Sequence, residues 1–194
     1  DGVIVPGGFG GRGIQGMTHA AHYARVNRIP YFGICLGMQV AVIEYAENVL
    51  AWSDANSSEF DPECTHPVID LMPDQQGNLP KGGTMRLGAY PCEIQPGTVL
   101  ERAYQRRSVG ERHRHRYEFN NSYRQQLEEA GLGYFRAPRP TAGVVEAVEL
   151  PDMTFYVGVQ YHPEFKSRPN RAQPLFREFI AAALKKQGKI SEKN

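Results

Sequence analysis

Two short apolar runs in the first half of the chain are each followed by a helical pattern. Val3–Val5 is β-branched and leads into a glycine-rich loop, and Tyr31–Ile34 follows a proline. Apolar side chains recur at helical spacing over residues 36–50, and residues 17–27 also suit a helix. A strand, a helix, a strand and a helix in this order predict parallel strands that are connected by crossover helices.

The second half of the chain is less regular. The pattern predicts strands over residues 85–90, 92–95, 144–150 and 155–160, helices over 122–130 and 173–187, a polar loop over 53–67 and a surface excursion over 73–83. Ser122 is expected to cap the first of these helices and Gly131 to end it. The last helix is expected to turn an apolar side that includes Ile180 towards the core. The elements together predict a three-layer α/β fold with a mostly parallel central sheet.

Composition excludes several classes of protein. The 194 residues are 41% hydrophobic and 22% charged, which is ordinary for a globular domain with a sizeable core. The formal net charge of +1 gives no reason to expect nucleic acid or an anionic membrane as a partner. No apolar run approaches the ~18 residues of a membrane span, and the first residues lack the pattern of a signal peptide.

The cysteines indicate the compartment. Their number is three, odd and widely spaced, which disfavours a disulfide framework and favours a reducing, cytoplasmic setting. Cys64 and His66 could supply half of a metal site, but no paired C-x-x-C or H-x-x-x-H motif completes it. We therefore predict no metal site.

One cysteine lies in a nucleophile motif. Gly33-Ile34-Cys35-Leu36-Gly37 follows a predicted strand and opens a predicted helix, which is the G-x-S-x-G arrangement with cysteine as the nucleophile. A helix N-terminus is expected to favour the thiolate of Cys35, and the N–H of Leu36 points to where an oxyanion would form. A buried structural cysteine is the alternative reading.

A base and its orienting group follow the strand predicted over residues 155–160. In His162-Pro163-Glu164 the two ionisable side chains are two residues apart, so in an extended segment they point to one side. Glu164 can then fix the tautomer of His162, as in a Ser-His-Asp triad. Both motifs end predicted parallel strands, which puts them at one edge of the sheet. The glycine-rich loop over residues 6–13 ends there too, and it lacks the G-K-[ST] of a phosphate loop.

Five motifs together carry a specific resemblance. Together they resemble the glutaminase domains of CTP synthases: PGGFG, GICLGMQ, NSSEF, RHRHRYEFN and QYHPEF. The sharp turn around Cys35, the nucleophile elbow, and the HPE sequence alone indicate only the wider class I glutamine amidotransferases. The resemblance implies a class I glutamine amidotransferase fold over a single domain, residues 1–194. It also implies that the family's first strand or strands, and its synthetase domain, lie outside this chain.

The resemblance further implies a role for each matching residue. Cys35 would form the glutamyl thioester, and His162 and Glu164 would complete the triad. The residues expected to bind L-glutamine or its oxyanion are Gly8, Leu36, Gln39, Glu59 and Arg116. Arg116 would hold the α-carboxylate and Glu59 the α-ammonium group. Arg12 and Gly13 match a stretch implicated in activation by GTP.

The family's chemistry sets the expected cofactors and partners. No cofactor is expected in this domain, whereas the synthetase domain would use ATP and magnesium to aminate UTP to CTP with the released ammonia. A homotetramer is expected for the whole enzyme. GMP synthetase-type amidotransferases and γ-glutamyl hydrolases are alternatives that RHRHRYEFN disfavours. An inactive regulatory or filament-forming module is a third reading, and the intact triad disfavours it.

Some residues keep two readings. NSSEF has serine where the family has threonine. Residues 105–108 suit either a solvated loop or a contact with GTP or another domain. His113 and His115 could be ligands, but a structural role is favoured because the neighbouring arginines would repel a metal ion.

Overall fold

The computed structural model describes residues 1–71, 85–136 and 143–188. The strands are β1 (Val3–Val5), β2 (Tyr31–Ile34), β3 (Ala55–Ser57), β4 (His66–Leu71), β5 (Arg86–Glu93), β6 (Ser108–His115), β7 (Tyr117–Phe119), β8 (Gly133–Arg136), β9 (Val145–Glu149) and β10 (Tyr156–Val159). The helices are α1 (Ile14–Val26), α2 (Leu36–Asn48), α3 (Val99–Tyr104), α4 (Arg124–Glu129) and α5 (Pro174–Lys186). Among these described helices, none combines the length and apolar character needed to cross a membrane. The excursion predicted over residues 73–83 lies outside the described residues.

The central sheet is mixed, which corrects the expectation of a mostly parallel sheet. Its seven described strands run in the order β1-β2-β10-β9-β8-β5-β6. Only β1, β2 and β10 are parallel, and every other pairing is antiparallel. The turn between β9 and β10 is too short for the crossover that a parallel pair requires, so these strands form a hairpin.

Both faces of the sheet are covered, as the three-layer prediction requires. Tyr31 of β2 stacks on Tyr156 of β10 with ring centroids 4.6 Å apart, within the core that includes α1 and α2. Its neighbour Phe32 points to the opposite face and packs edge-on against Phe155, near Phe179 of α5. Because successive side chains of a strand alternate between faces, one short strand serves two cores. The apolar runs of β2 and β10 therefore reflect burial on both faces.

A second, three-stranded sheet was not expected from the sequence. Its order is β3-β4-β7, and β3 and the start of β4 lie in the segment predicted to be a polar loop over residues 53–67. Ile69 of β4 pairs with Phe119 of β7, fifty residues further along the chain. A pairing over such a distance leaves little trace in a local polar pattern. This sheet positions Glu59, which follows β3, and Arg116, which precedes β7.

Other boundaries also differ from the prediction. The strands expected over residues 85–90 and 92–95 form the single strand β5, and the arginine-rich segment contributes β6. A 3-10 turn precedes α4, and the side chain of Asn120, rather than that of Ser122, accepts the capping hydrogen bond at 3.1 Å. Ile180 of α5 is 54% exposed, whereas Ala182 is buried. The expectation that Ile180 faces the core is therefore wrong.

Candidate active site

Cys35 lies at a strained turn between β2 and α2. Its backbone has φ 51° and ψ −103°, a conformation that residues other than glycine rarely adopt. Its N–H donates to the carbonyl oxygen of Val159 at 2.7 Å, which holds the turn against the end of β10. A Cβ at Gly33 would lie 2.5 Å from the carbonyl oxygen of Gly37, and a Cβ at Gly37 would overlap the backbone of Val5. Both flanking glycines of the elbow are therefore sterically required.

Burial disfavours the thiolate of Cys35 by more than the helix N-terminus favours it, which was not expected from the sequence. The side chain is buried, and burial raises its pKa to about 12. The N–H of Leu36 lowers this pKa, but the negative charges of Glu118, Glu164 and Glu59 raise it further. The desolvation of a thiolate outweighs one helix N-terminus. The nucleophile therefore needs a base to remove its proton.

His162 is arranged as that base. Its Nδ1 lies 2.6 Å from Oε1 of Glu164, and its backbone N–H donates to the carbonyl oxygen of Arg112 at 2.8 Å. The Nε2 of His162 is buried and has no hydrogen-bond partner among the residues that the structure describes. Phe165 stacks on the imidazole with ring centroids 4.9 Å apart and planes 13° apart. One ring nitrogen is thus held by a carboxylate while the other is available for a proton.

A cavity of about 170 Å³ opens beside the sulfur of Cys35. It is lined by Gly8, Phe9, Cys35, Gln39, Glu59, Met85, Arg114, His115, Arg116 and Tyr117. Leu36 adjoins it, since a Cβ at Gly8 would lie 3.0 Å from Cδ2 of Leu36. The residues predicted to bind glutamine or its oxyanion therefore meet around one cavity, although they come from four separate motifs.

The polar groups of this cavity have complementary charges. Glu59 also accepts a hydrogen bond from the N–H of Gly10 at 3.2 Å, which ties its carboxylate to the glycine-rich loop. Arg116 contributes a positive charge to the same wall. Gln39 is 4% exposed and donates from Nε2 to the carbonyl oxygen of Tyr117 at 2.9 Å. A cavity lined by both acidic and basic groups suits an amino acid zwitterion.

The chain matches known proteins over most of its length. The family model for class-I glutamine amidotransferases matches residues 1–182. The chain belongs to the class-I glutamine amidotransferase family. It is 58% identical over 184 residues to a CTP synthase of Dehalococcoides mccartyi and 56% identical over 185 residues to one of Pelotomaculum thermopropionicum, covering 95% of this chain and 34% of each relative. This amidotransferase domain thus spans about a third of the length of these curated relatives.

A solved structure supports the same assignment. The glutaminase domain of Trypanosoma brucei CTP synthase, with bound acivicin, matches with a TM-score of 0.90 and 46% sequence identity. The match covers 95% of this amidotransferase chain and 71% of the other. The family and the fold inferred from the five motifs are therefore confirmed, with the central sheet corrected to a mixed one.

Several residues around the site were missed by the sequence analysis. Phe9 and Arg114 line the cavity, and the guanidinium of Arg114 lies 5.9 Å from the centre of the Phe9 ring. Tyr117 lines it too, beside Arg116. Gln160 is buried behind the cavity and contacts Cys35. All four lie within the quoted motifs, but only tertiary structure distinguishes them from their neighbours.

The residues matched to GTP activation lie apart from the cavity lining. Arg12 is exposed, and Gly13 precedes α1 in a left-handed conformation with φ 79°. In the segment over residues 105–108, Arg106 is exposed and Arg107 forms an ion pair with Glu101 at 3.1 Å. This geometry agrees with the solvated-loop reading of that segment.

His113 and His115 belong to a buried ionic network of the amidotransferase. Nε2 of His113 lies 2.6 Å from Glu146, and Nε2 of His115 lies 2.6 Å from Glu118. Arg86 bridges both carboxylates. Burial lowers the pKa of His113; burial raises the pKa of Glu146, but its hydrogen bond to His113 and the charge of Arg86 lower that pKa overall. Both histidines are thus engaged with carboxylates, which agrees with a structural role, and His115 also lines the cavity.

Proposed function

We propose that this domain hydrolyses L-glutamine to L-glutamate and ammonia through a thioester on Cys35. The observation that carries the proposal is the single cavity that joins Cys35 to an acidic group, Glu59, and a basic group, Arg116. The pairing of His162 with Glu164 at 2.6 Å supports the same chemistry. A cysteine nucleophile with an oriented histidine base is the recurring arrangement for acyl transfer.

The first half of the reaction forms the thioester. Nε2 of His162 takes the proton of the Cys35 thiol as the sulfur attacks the side-chain amide carbon of glutamine. The negative charge that develops on the amide oxygen is stabilised by the N–H groups of Gly8 and Leu36. The imidazolium, whose charge is balanced by Glu164, then donates its proton to the leaving nitrogen, and ammonia departs.

The second half releases glutamate. His162, neutral again, removes a proton from a water molecule as the water oxygen attacks the thioester carbon. The same two N–H groups stabilise the second oxyanion, and the sulfur leaves with the proton from the imidazolium. The new carboxyl group of glutamate then loses its remaining proton to the solvent, and the thiol of Cys35 is restored, so the cycle consumes one water for each glutamine.

The two charged α-groups of glutamine would each bind one charged side chain of the cavity. Arg116 binds the α-carboxylate, and Glu59 binds the α-ammonium group. Gln39 uses Nε2 for the backbone of Tyr117, so its Oε1 is the atom that remains for the substrate. Glutamate as product keeps both α-groups but adds a negative charge close to the sulfur, which favours its release.

The released ammonia would be used by a synthetase domain of a longer enzyme. The relatives that this chain matches are CTP synthases of which it covers about a third, and this supports a synthetase domain as its partner. That domain would use ATP and magnesium to aminate UTP to CTP. We further propose that GTP activates glutamine hydrolysis near Arg12 and Gly13, and that the whole enzyme is a homotetramer in the cytoplasm.

The experiment that tests the glutaminase activity measures glutamate and ammonia released from L-glutamine by this chain and by the full-length enzyme with GTP. Cys35→Ala is expected to abolish the release from both. In the full-length enzyme, CTP formation from free ammonia should persist, because that reaction does not need the thioester. Cys64→Ala is the control, since Cys64 lies outside the cavity lining. Near-normal glutamine turnover by Cys35→Ala would refute the assignment.

A further inference from the structure

A buried glutamine contacts the nucleophile. Gln160 follows β10 directly, is 0% exposed, and donates its backbone N–H to the carbonyl oxygen of Glu146 at 2.8 Å. Its side-chain Nε2 lies 3.6 Å from the sulfur of Cys35. Gln160 lies two residues before His162, so one segment presents both the base and this amide to the thiol.

The orientation of the amide is determined by a backbone carbonyl. The carbonyl oxygen of Tyr117 can only accept, so the atom of Gln39 that lies 2.9 Å from it must be the amide nitrogen. The same nitrogen lies 3.1 Å from the side chain of Gln160 and donates its second proton there. The atom of Gln160 that faces Gln39 is therefore its oxygen, and the NH₂ group of Gln160 faces the sulfur.

We propose that Gln160 is a further catalytic residue, whose amide N–H donates to the sulfur of Cys35 and stabilises the thiolate formed during the reaction. The inference rests on the proposed function, because it concerns the nucleophile of that reaction. A neutral thiol is a weak acceptor, whereas a thiolate is a strong one. The hydrogen bond therefore strengthens as His162 removes the proton, and this is when stabilisation accelerates the step.

The surroundings of the sulfur explain why such a donor matters. The thiol lies in a buried site, and the nearby carboxylates of Glu59, Glu118 and Glu164 each disfavour a thiolate. The donors that oppose them are the N–H of Leu36, at the start of α2, and the amide of Gln160, at the end of β10. Two donors from separate elements thus face one sulfur.

The chain of hydrogen bonds also reaches the substrate cavity. It runs from the carbonyl of Tyr117 through Gln39 and Gln160 to Cys35, and Tyr117, Gln39 and Cys35 all line the cavity. Because one amide nitrogen of Gln39 holds both neighbours, a substrate that contacts Gln39 also holds Gln160 against the sulfur. This gives the amide a role beyond filling space behind the elbow.

The test compares Gln160→Met and Gln160→Glu with the unchanged chain. Methionine has a similar volume and no donor. Glutamate still accepts the hydrogen bond from Gln39 and, when ionised, has no proton for the sulfur of Cys35 and adds a negative charge beside it. The matched control is Gln125→Met, because Gln125 is exposed on α4 and bonds Glu129 instead. Thermal unfolding establishes that each variant is folded, and the isosteric glutamate keeps the test valid if the methionine variant is not.

Two readouts decide the result. Alkylation of Cys35 by iodoacetamide at pH 8, followed by mass spectrometry of its peptide, is expected to slow about three- to fifteenfold in both Gln160 variants. This follows from a ten- to hundredfold smaller thiolate fraction, partly offset by the higher nucleophilicity of a more basic thiolate. Glutamine turnover is expected to fall at least as much, and Gln125→Met to leave both rates unchanged. A folded Gln160 variant whose Cys35 alkylates at the original rate would overturn the inference.

The Cys35→Ala and Gln160 variants together distinguish a failure of this inference from a failure of the proposed function. If Cys35→Ala keeps its glutaminase activity, the nucleophile assignment fails whatever the Gln160 variants do. If Cys35→Ala is inactive while the folded Gln160 variants alkylate and turn over normally, the proposed function stands and only the role of Gln160 is wrong.

Discussion

Gly7 faces the edge of the His162 imidazole so closely that a Cβ added there would lie 2.8 Å from Cε1. The same Cβ would lie 3.5 Å from the Cβ of Cys35. The missing side chain at Gly7 thus provides the space in which the base lies next to the nucleophile. The other restraints on His162 are Glu164 at Nδ1 and Phe165 against the face of the ring.

Gly7→Ala is therefore expected to displace His162 with little effect on folding. A misplacement on the order of 1 Å at a catalytic group lowers turnover by about a hundredfold, and this is the loss of glutamine hydrolysis that we expect. The matched control is Gly16→Ala on the exposed side of α1, where an added Cβ meets nothing within 4 Å. That change should keep turnover and raise the free energy of unfolding by about 0.5–1 kcal/mol. Normal turnover in Gly7→Ala would show that His162 is not tightly positioned.

Covalent labelling should distinguish the three cysteines. An electrophilic glutamine analogue, such as a chloroketone, is expected to label Cys35, because only Cys35 lines the cavity. Cys92, which is buried, and Cys64, which is half-buried, both lie outside that cavity lining. Peptide mass mapping identifies the labelled residue, and excess L-glutamine should protect it. Label found mainly on Cys64 or Cys92 would contradict the site.

The two charges of the cavity should matter more than a neighbouring arginine. Arg116→Ala and Glu59→Ala would each leave one charged end of glutamine without its partner, and we expect losses in kcat/KM equivalent to about 2–5 kcal/mol. Arg114→Ala is the comparison, since Arg114 also lines the cavity but is exposed and lies over Phe9. A smaller loss is expected there. Equal and small effects at Arg116 and Arg114 would refute the role of Arg116.

A buried carboxyl away from the triad should make stability depend on pH. Burial raises the pKa of Glu149 to about 7 from the ordinary value of 4.5, although it accepts a hydrogen bond from the N–H of Val99 at 3.1 Å. Glu149 lines a larger cavity of about 430 Å³, whose lining contains no triad residue. In the folded protein this carboxyl keeps its proton up to about pH 7, whereas in the unfolded chain it loses the proton near pH 4.5.

The sign follows from proton binding. Between pH 4.5 and 7 the folded state binds more protons than the unfolded state, so the contribution of Glu149 to stability falls as the pH rises. Above pH 7, the ionisation of Glu149 lowers the free energy of unfolding by its full amount, about 3 kcal/mol. Glu149→Gln keeps an acceptor for Val99 but cannot ionise. The free energy of unfolding of this variant, relative to that of the unchanged chain, should therefore be higher at pH 8.5 than at pH 5. Chemical denaturation at both pH values measures this, with exposed Glu63→Gln as the control. A pH-independent difference would contradict the raised pKa.

Local sequence was sufficient to predict the triad residues proposed for catalysis. The elbow around Cys35 depends on two glycines that lie two residues before and two residues after it, and His162 and Glu164 are two residues apart in one segment. Their positions relative to β2 and β10 follow from short apolar runs that are buried on both faces. Features whose cause lies within a few residues were therefore accessible from the sequence, including the family resemblance that assigned Glu59 and Arg116.

Only the tertiary structure decided what depends on distant parts of the chain. The antiparallel half of the central sheet and the pairing of β4 with β7 join segments that the sequence pattern treats separately. The protonation of Cys35 is a balance between burial by the whole fold and one helix N-terminus, and burial dominates. The contact of Gln160 with the sulfur spans 125 residues along the chain, and its amide orientation depends on the carbonyl of Tyr117 through Gln39. No local pattern contains these relationships, because desolvation and hydrogen-bond networks arise only when the chain is packed.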